Sequence, residues 1–354
     1  MQYRLSLSTL KRILSVKTAL LILLVIIIFT LIVVIQRARR KETQPPGVNP
    51  TFGDIPAPKP SYVSQMKPPQ STELTPDEQI NLSETATVFR RASTTLTDKQ
   101  ARDIARSFGI SGEPLTSKTS VTFRENNRVL IVSFKKGSLS YFEPLQEYLK
   151  DFRQKALEDY ALILLKQLYP GDPLWANPKV KTGFFTIIEM QDFKPTAPNK
   201  ADLAIVDLYP TIEGLSIVGP FDPFGHTGMV SIQFNKRDGS LVLNGLPTGL
   251  NTAQVGTYPL KSLDAVQEEI KLGQVTLTAT IPEGQTPKSV DWGQNLDPTK
   301  ASFTSIELVY YYDPDPNAFL QPIYLFSGKT TLTDGRPANI FAILPAIDPQ
   351  YLKP

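Results

Sequence analysis

Positions 19–35 read ALLILLVIIIFTLIVVI, seventeen residues in which only Thr30 carries a polar side-chain atom. No other feature restricts the chain as much, because a helix that is apolar on every side has no face to give to water. At about 1.5 Å per residue the run spans roughly 26 Å, close to the ~30 Å hydrocarbon thickness of a bilayer. Fifteen of its residues are Leu, Ile, Val or Phe, which at roughly −0.4 kcal/mol each sum to about −6 kcal/mol for insertion. Arg4, Lys11, Arg12 and Lys17 precede it; Arg37, Arg39, Arg40 and Lys41 follow. One transmembrane helix is therefore predicted over 19–35, with the lipid bilayer as the partner of those residues.

A cleaved leader would share the basic start and the apolar run. Here the apolar segment is longer than a leader's usual core, and QRARRKE follows it instead of a small-x-small cleavage site. The chain has no cysteine for lipid attachment. An uncleaved anchor is the expectation. The flanking charges tie at four against four, so orientation rests on export of the long domain and retention of a short basic tail. That places 1–18 in the cytoplasm and the bulk outside, in a single-pass membrane protein.

Removing the eight basic residues of 1–41 from the total of 37 leaves 29 against 34 acidic residues. A remainder of net −5 lacks the clustered positive surface that nucleic acid requires. Without cysteine there are no disulfides, so hydrophobic burial must hold the exported part together. From 36 to 82 the sequence reads as a proline-rich tether, with nine prolines between Glu42 and Leu82.

Beyond it, helix and strand signals alternate. Thr97 caps a helix over 97–108 that Gly109 stops, and strand patterns follow at 120–124, 128–134 and 138–142. A long apolar stripe predicts a helix over 145–168. Strands recur at 183–190, 202–209, 229–235 and 239–244, the last two joined by Asp238-Gly239, a hairpin signal. A second short helix, 262–272, leads strands at 302–312, 321–332 and 337–345. The expected class is α+β: antiparallel sheets with helices packed on one face, in subdomains 83–170 and 171–354 that each lead a meander with a helix.

Five passages carry a resemblance: TLTDKQARDIARSFGISGEP at 95–114, ADLAIVDLYPTIEGLSIVG at 201–219, VSIQFNKRDGSL at 230–241, SIELVYYYDPDPNAFLQPIYLFSG at 305–328 and FAILPAI at 341–347. Together they resemble the extracytoplasmic regions of YycH/YycI-type regulatory proteins and PepSY-like modules. The resemblance implies two related subdomains of that kind behind one membrane helix. It also implies a non-enzymatic ectodomain that modulates a membrane partner.

The residues offer little chemistry of their own. His226 is the sole histidine, in FDPFGHTG, and no HExxH, GxSxG or phosphate-binding glycine loop is present. Asp313, Asp315 and Asn317 imitate the start of a calcium loop, but its sixth and twelfth positions are Ala318 and Tyr324. Asp291 and Asp297 flank a Trp-Gly turn without ligand spacing. No cofactor, metal site or catalytic residue is expected. Alternation places Tyr310 and Tyr312 on one strand face and Tyr311 on the other. Tyr311, Tyr324 and His226 are the candidate partner contacts. The reading is a membrane-anchored, non-catalytic regulatory protein that binds a membrane or cell-surface protein. The alternatives are a wall-polymer-binding module and a hydrolase with an unrecognised carboxylate pair.

Overall fold

The computed structural model describes residues 47–59, 66–75, 82–91, 96–134, 137–188, 193–219, 221–222, 225–226, 228–245, 250–285, 290, 294–313, 315 and 318–353. The 1–18 tail and the 19–35 segment lie outside the described residues. No helix among the described residues is long and apolar enough to cross a membrane.

The α+β expectation is corrected: about 48% of the structure is strand and 18% helix. Two nine-stranded sheets make up most of it, and the described α-helices are three, α1 (Asp98–Ser107), α2 (Gln154–Leu168) and α3 (Leu263–Lys271). Part of the difference comes from the long helix expected over 145–168. Its first third is a 3-10 turn, Glu147–Leu149, followed by Phe152 at φ 47°. A helix cannot run through a left-handed residue, and a bulky side chain there is strained. Burial holds it in place. The Phe152 ring is 1% exposed, lies 6.4 Å from the Phe184 ring and carries Lys236 Nζ 4.0 Å above its centroid.

The first sheet is antiparallel throughout. Its order is Leu115–Thr116, Ser120–Glu125, Arg128–Ser133, Leu139–Pro144, Ser240–Gly245, Val230–Asn235, Leu203–Tyr209, Lys179–Ile187 and Phe193–Pro195. Along one cross-strand row Phe123, Leu130, Tyr141, Leu243, Ile232 and Val206 are all at most 2% exposed. Onto this face α1 packs through Ala101 and Ala105, and α2 through Leu157, Ala161, Leu164, Leu165 and Leu168. At roughly 1.5–3 kcal/mol for each buried leucine, α2 is held by packing more than by propensity.

The expected boundary at 170 falls inside this sheet, since Leu139–Pro144 pairs with Ser240–Gly245. Residues 49–354 form one compact unit. Nor do the two helix-led meanders share a topology. The strands after α1 are neighbours in chain order, whereas Thr276–Pro282, the first after α3, joins the far side of Pro337–Pro345. The second sheet centres on the long pair Pro298–Tyr311 and Phe319–Leu332, flanked by Pro337–Pro345. It is mixed, because Leu215–Val218 and Ser71–Leu74 both run parallel to Pro298–Tyr311.

Within the stretch read as a tether, Ser71–Leu74 is thus a strand, and Ile55–Pro56 pairs with Leu352–Lys353. A parallel edge position suits proline, which has no N–H to contribute to a ladder. Ile55 is 1% exposed, so burial of that side chain draws the segment onto the unit.

Candidate functional site

Tyr311 and Tyr324 are interior residues. Tyr324 belongs to the core under α3, and Tyr311 to a smaller cluster with Tyr209, Val218, Val309, Ile323 and Ile343. Each hydroxyl donates to a main-chain carbonyl, Tyr311 to Lys59 at 3.2 Å and Tyr324 to Lys261 at 3.2 Å. Burial pushes the Tyr324 phenol well above its ordinary range. Both faces of the strand are covered: Tyr310 and Tyr312 lie in the large core, and Tyr311 in the smaller cluster on the other side. His226 is in the short hairpin Phe221–Asp222 with Gly225–His226. Tyr311 and Tyr324 belong to separate clusters, so the structure does not bring these two together.

Sequence reasoning missed a buried cluster of titratable groups among the described residues. Glu143, with its side chain 4% exposed, faces inward from Leu139–Pro144. Tyr141 donates to its Oε2 at 3.0 Å and Tyr160 of α2 to its Oε1 at 2.6 Å, while Arg128 Nε lies 3.8 Å from Oε2. Desolvation is the main cause raising both phenols far above their ordinary range, with the Glu143 charge adding to it. Both therefore remain protonated donors at any physiological pH. A carboxylate enclosed by two such donors clamps α2 to the sheet. Strand alternation placed Glu143 inward with Tyr141, which was the available signal.

Glu143→Leu should leave two hydroxyls without their acceptor, at about 1–3 kcal/mol each. Glu143→Gln, which keeps an acceptor oxygen, should cost less. Thermal unfolding of the two variants checks the order, and equal melting temperatures would mean the clamp contributes nothing.

The surface candidate is the opposite face of the first sheet. One row across it runs Val129, Phe142, Val242, Gln233 and Ile205; the next runs Ile131, Ser140, Asn244, Ser231 and Asp207. Phe142 is 36% and Ile131 37% exposed, and Leu115 on the neighbouring edge strand 67%. Ser140 Oγ donates to Asn244 Oδ1 at 2.7 Å, which holds a polar pair beside the apolar row. A platform of this composition can bury apolar area against a flat partner while hydroxyls and amides set the orientation. Among the described residues no group of three His, Asp or Glu is placed to hold a metal ion.

No family model matches the chain, and no curated protein does. Among solved structures, an uncharacterized protein from Eubacterium rectale ATCC 33656 aligns with 78% of this chain and 89% of its own, at 11% identity and a TM-score of 0.41.

Proposed function

We propose that the chain is a single-pass membrane-anchored protein whose 49–354 unit lies outside the cytoplasm and acts by binding a membrane or cell-surface protein. The apolar run at 19–35 with its basic flanks carries this reading. Glu143, Tyr141 and Tyr160 are engaged with one another as an internal clamp, and the surface that the first sheet leaves open, with Phe142 and Ile131 partly exposed, supports binding.

Trypsin added to intact spheroplasts should cut at Arg37–Lys41 and release a soluble fragment beginning near residue 42. Release only after lysis would reverse the orientation. Capture from detergent-solubilised membranes should then recover a stoichiometric protein. Recovery of wall glycan alone would favour the wall-polymer alternative.

A further inference from the structure

Residues 49–59, NPTFGDIPAPK, lie on the compact unit as an extended segment, and the way they are held differs from the way the core strands are held. Only two of the eleven side chains, Ile55 and Pro58, are buried. Most of the contacts go to the segment's main chain. Asn49 exchanges two backbone hydrogen bonds with Thr257, each 2.9 Å. Ile55–Pro56 runs parallel to Leu352–Lys353, and Ala57 N donates to Lys353 O at 3.4 Å.

Three side chains of the unit also reach main-chain atoms of the segment. The Tyr258 hydroxyl accepts from Phe52 N at 3.2 Å and donates to Gly53 O at 3.0 Å. Gln321 Nε2 donates to Pro56 O at 3.0 Å, and Tyr311 Oη to Lys59 O at 3.2 Å. Phe52 stacks at a tilt on Phe319, centroids 5.0 Å apart. The amide of Gln321 is 3% exposed, yet its Oε1 has no partner among the described residues, so the track holds a spare acceptor.

Main-chain hydrogen bonds for affinity and a pocket for an occasional side chain for specificity are how a sheet edge recognises an extended peptide. The segment's own composition suits a ligand of that kind: Pro50, Pro56 and Pro58 favour the extended form before binding, which lowers the ordering entropy. We infer that residues 49–59 occupy, as a releasable cis ligand, a peptide-binding track formed by Tyr258, Tyr311, Phe319, Gln321 and Leu352–Lys353. The emptied track takes an extended segment of a separate polypeptide carrying Ile-x-x-Pro. Exchange of identical segments between two copies breaks and remakes the same contacts, so it gives no net gain. A foreign segment with better complementarity displaces the cis ligand. The inference stands apart from the membrane reading.

The test uses the full chain in detergent and a labelled peptide of residues 49–59. Ile55→Asp expels the cis segment and leaves the track's own residues intact. The peptide should bind this variant saturably and at least tenfold more tightly than it binds the wild type, and a peptide with the same Ile→Asp change should not bind. In the wild type, the amides of Ala57 and Lys353 should exchange at least tenfold faster than those of Tyr324 and Phe326. Gln321→Ala should speed exchange at Ala57 and Lys353 alone. Uniform exchange across these amides, or a folded Ile55→Asp chain with no saturable binding, would overturn the inference. So would peptide-independent dimers of that variant. If Ile55→Asp does not fold, the Gln321→Ala exchange pattern decides.

Discussion

Gly328→Ala is expected to destabilise the protein by about 3 kcal/mol or more, at or beyond the upper end of what overpacking usually costs. Gly328 pairs with Phe303 at the centre of the second sheet, beside a break in register between Phe303 and Ser305. A Cβ at this position would fall within the van der Waals shell of Ser302 O and stand 2.7 Å from Phe303 Cα. Both are backbone atoms, so no rotamer change relieves the clash. The strands would have to separate where Phe303 is 0% exposed and its ring lies 5.5 Å from Phe326. Against a typical margin of 5–15 kcal/mol the loss is large. Gly335→Ala makes the control. Its φ is 88° but open space surrounds it, so only backbone strain of about 1 kcal/mol is at stake. Urea unfolding should show a much lower midpoint for Gly328→Ala at an unchanged slope. Equal midpoints for the two variants would show that the central strand pair yields easily.

Glu269→Leu should cost about 3–5 kcal/mol, because it leaves a buried ammonium without its counter-charge. Lys261 has 5% of its side chain exposed, Glu269 on α3 has 19%, and Nζ lies 2.6 Å from Oε2. Lys261 cannot withdraw to solvent without disturbing its surroundings. Its N–H donates to Ala346 O, its carbonyl accepts from the Tyr324 hydroxyl, and Ser262, the α3 N-cap, follows directly. The double change Lys261→Met with Glu269→Leu should recover most of the loss, since an apolar pair of similar volume replaces two desolvated charges. A double-mutant cycle read by thermal unfolding tests this. Additive losses would show that the pair is not coupled.

Both sites escaped the sequence for one reason. Gly328 looks like any glycine in a strand pattern, and Lys261 like any surface lysine ahead of a helix. Only the atoms that other segments bring beside them make the two positions critical. The open face of the first sheet was half legible: alternation in Arg128–Ser133 and Leu139–Pro144 put Ile131 and Phe142 on one side, but not which side meets α1 and α2.

What the sequence determined by itself is local. Thr97 and Gln100 form a reciprocal capping box at α1, with hydrogen bonds of 3.2 and 2.9 Å, and Ser262 caps α3. Gly109 and Gly273 end these helices at φ 69° and 68°. Asn126 and Asn127 turn the first hairpin at φ 47° and 65°, and Gly239 and Gly335 turn later ones at positive φ. Each signal acts within about four residues, so the chain reads as it folds there. Tertiary structure decided which strands meet, that α2 starts only after Phe152, and that residues 49–59 and Ser71–Leu74 pack onto the unit. Leu139–Pro144 pairs with a strand roughly a hundred residues later in the chain. Such pairings are chosen by the apolar surface they bury together. Periodicity in one segment shows that a face will be buried, and says nothing of the segment that will cover it.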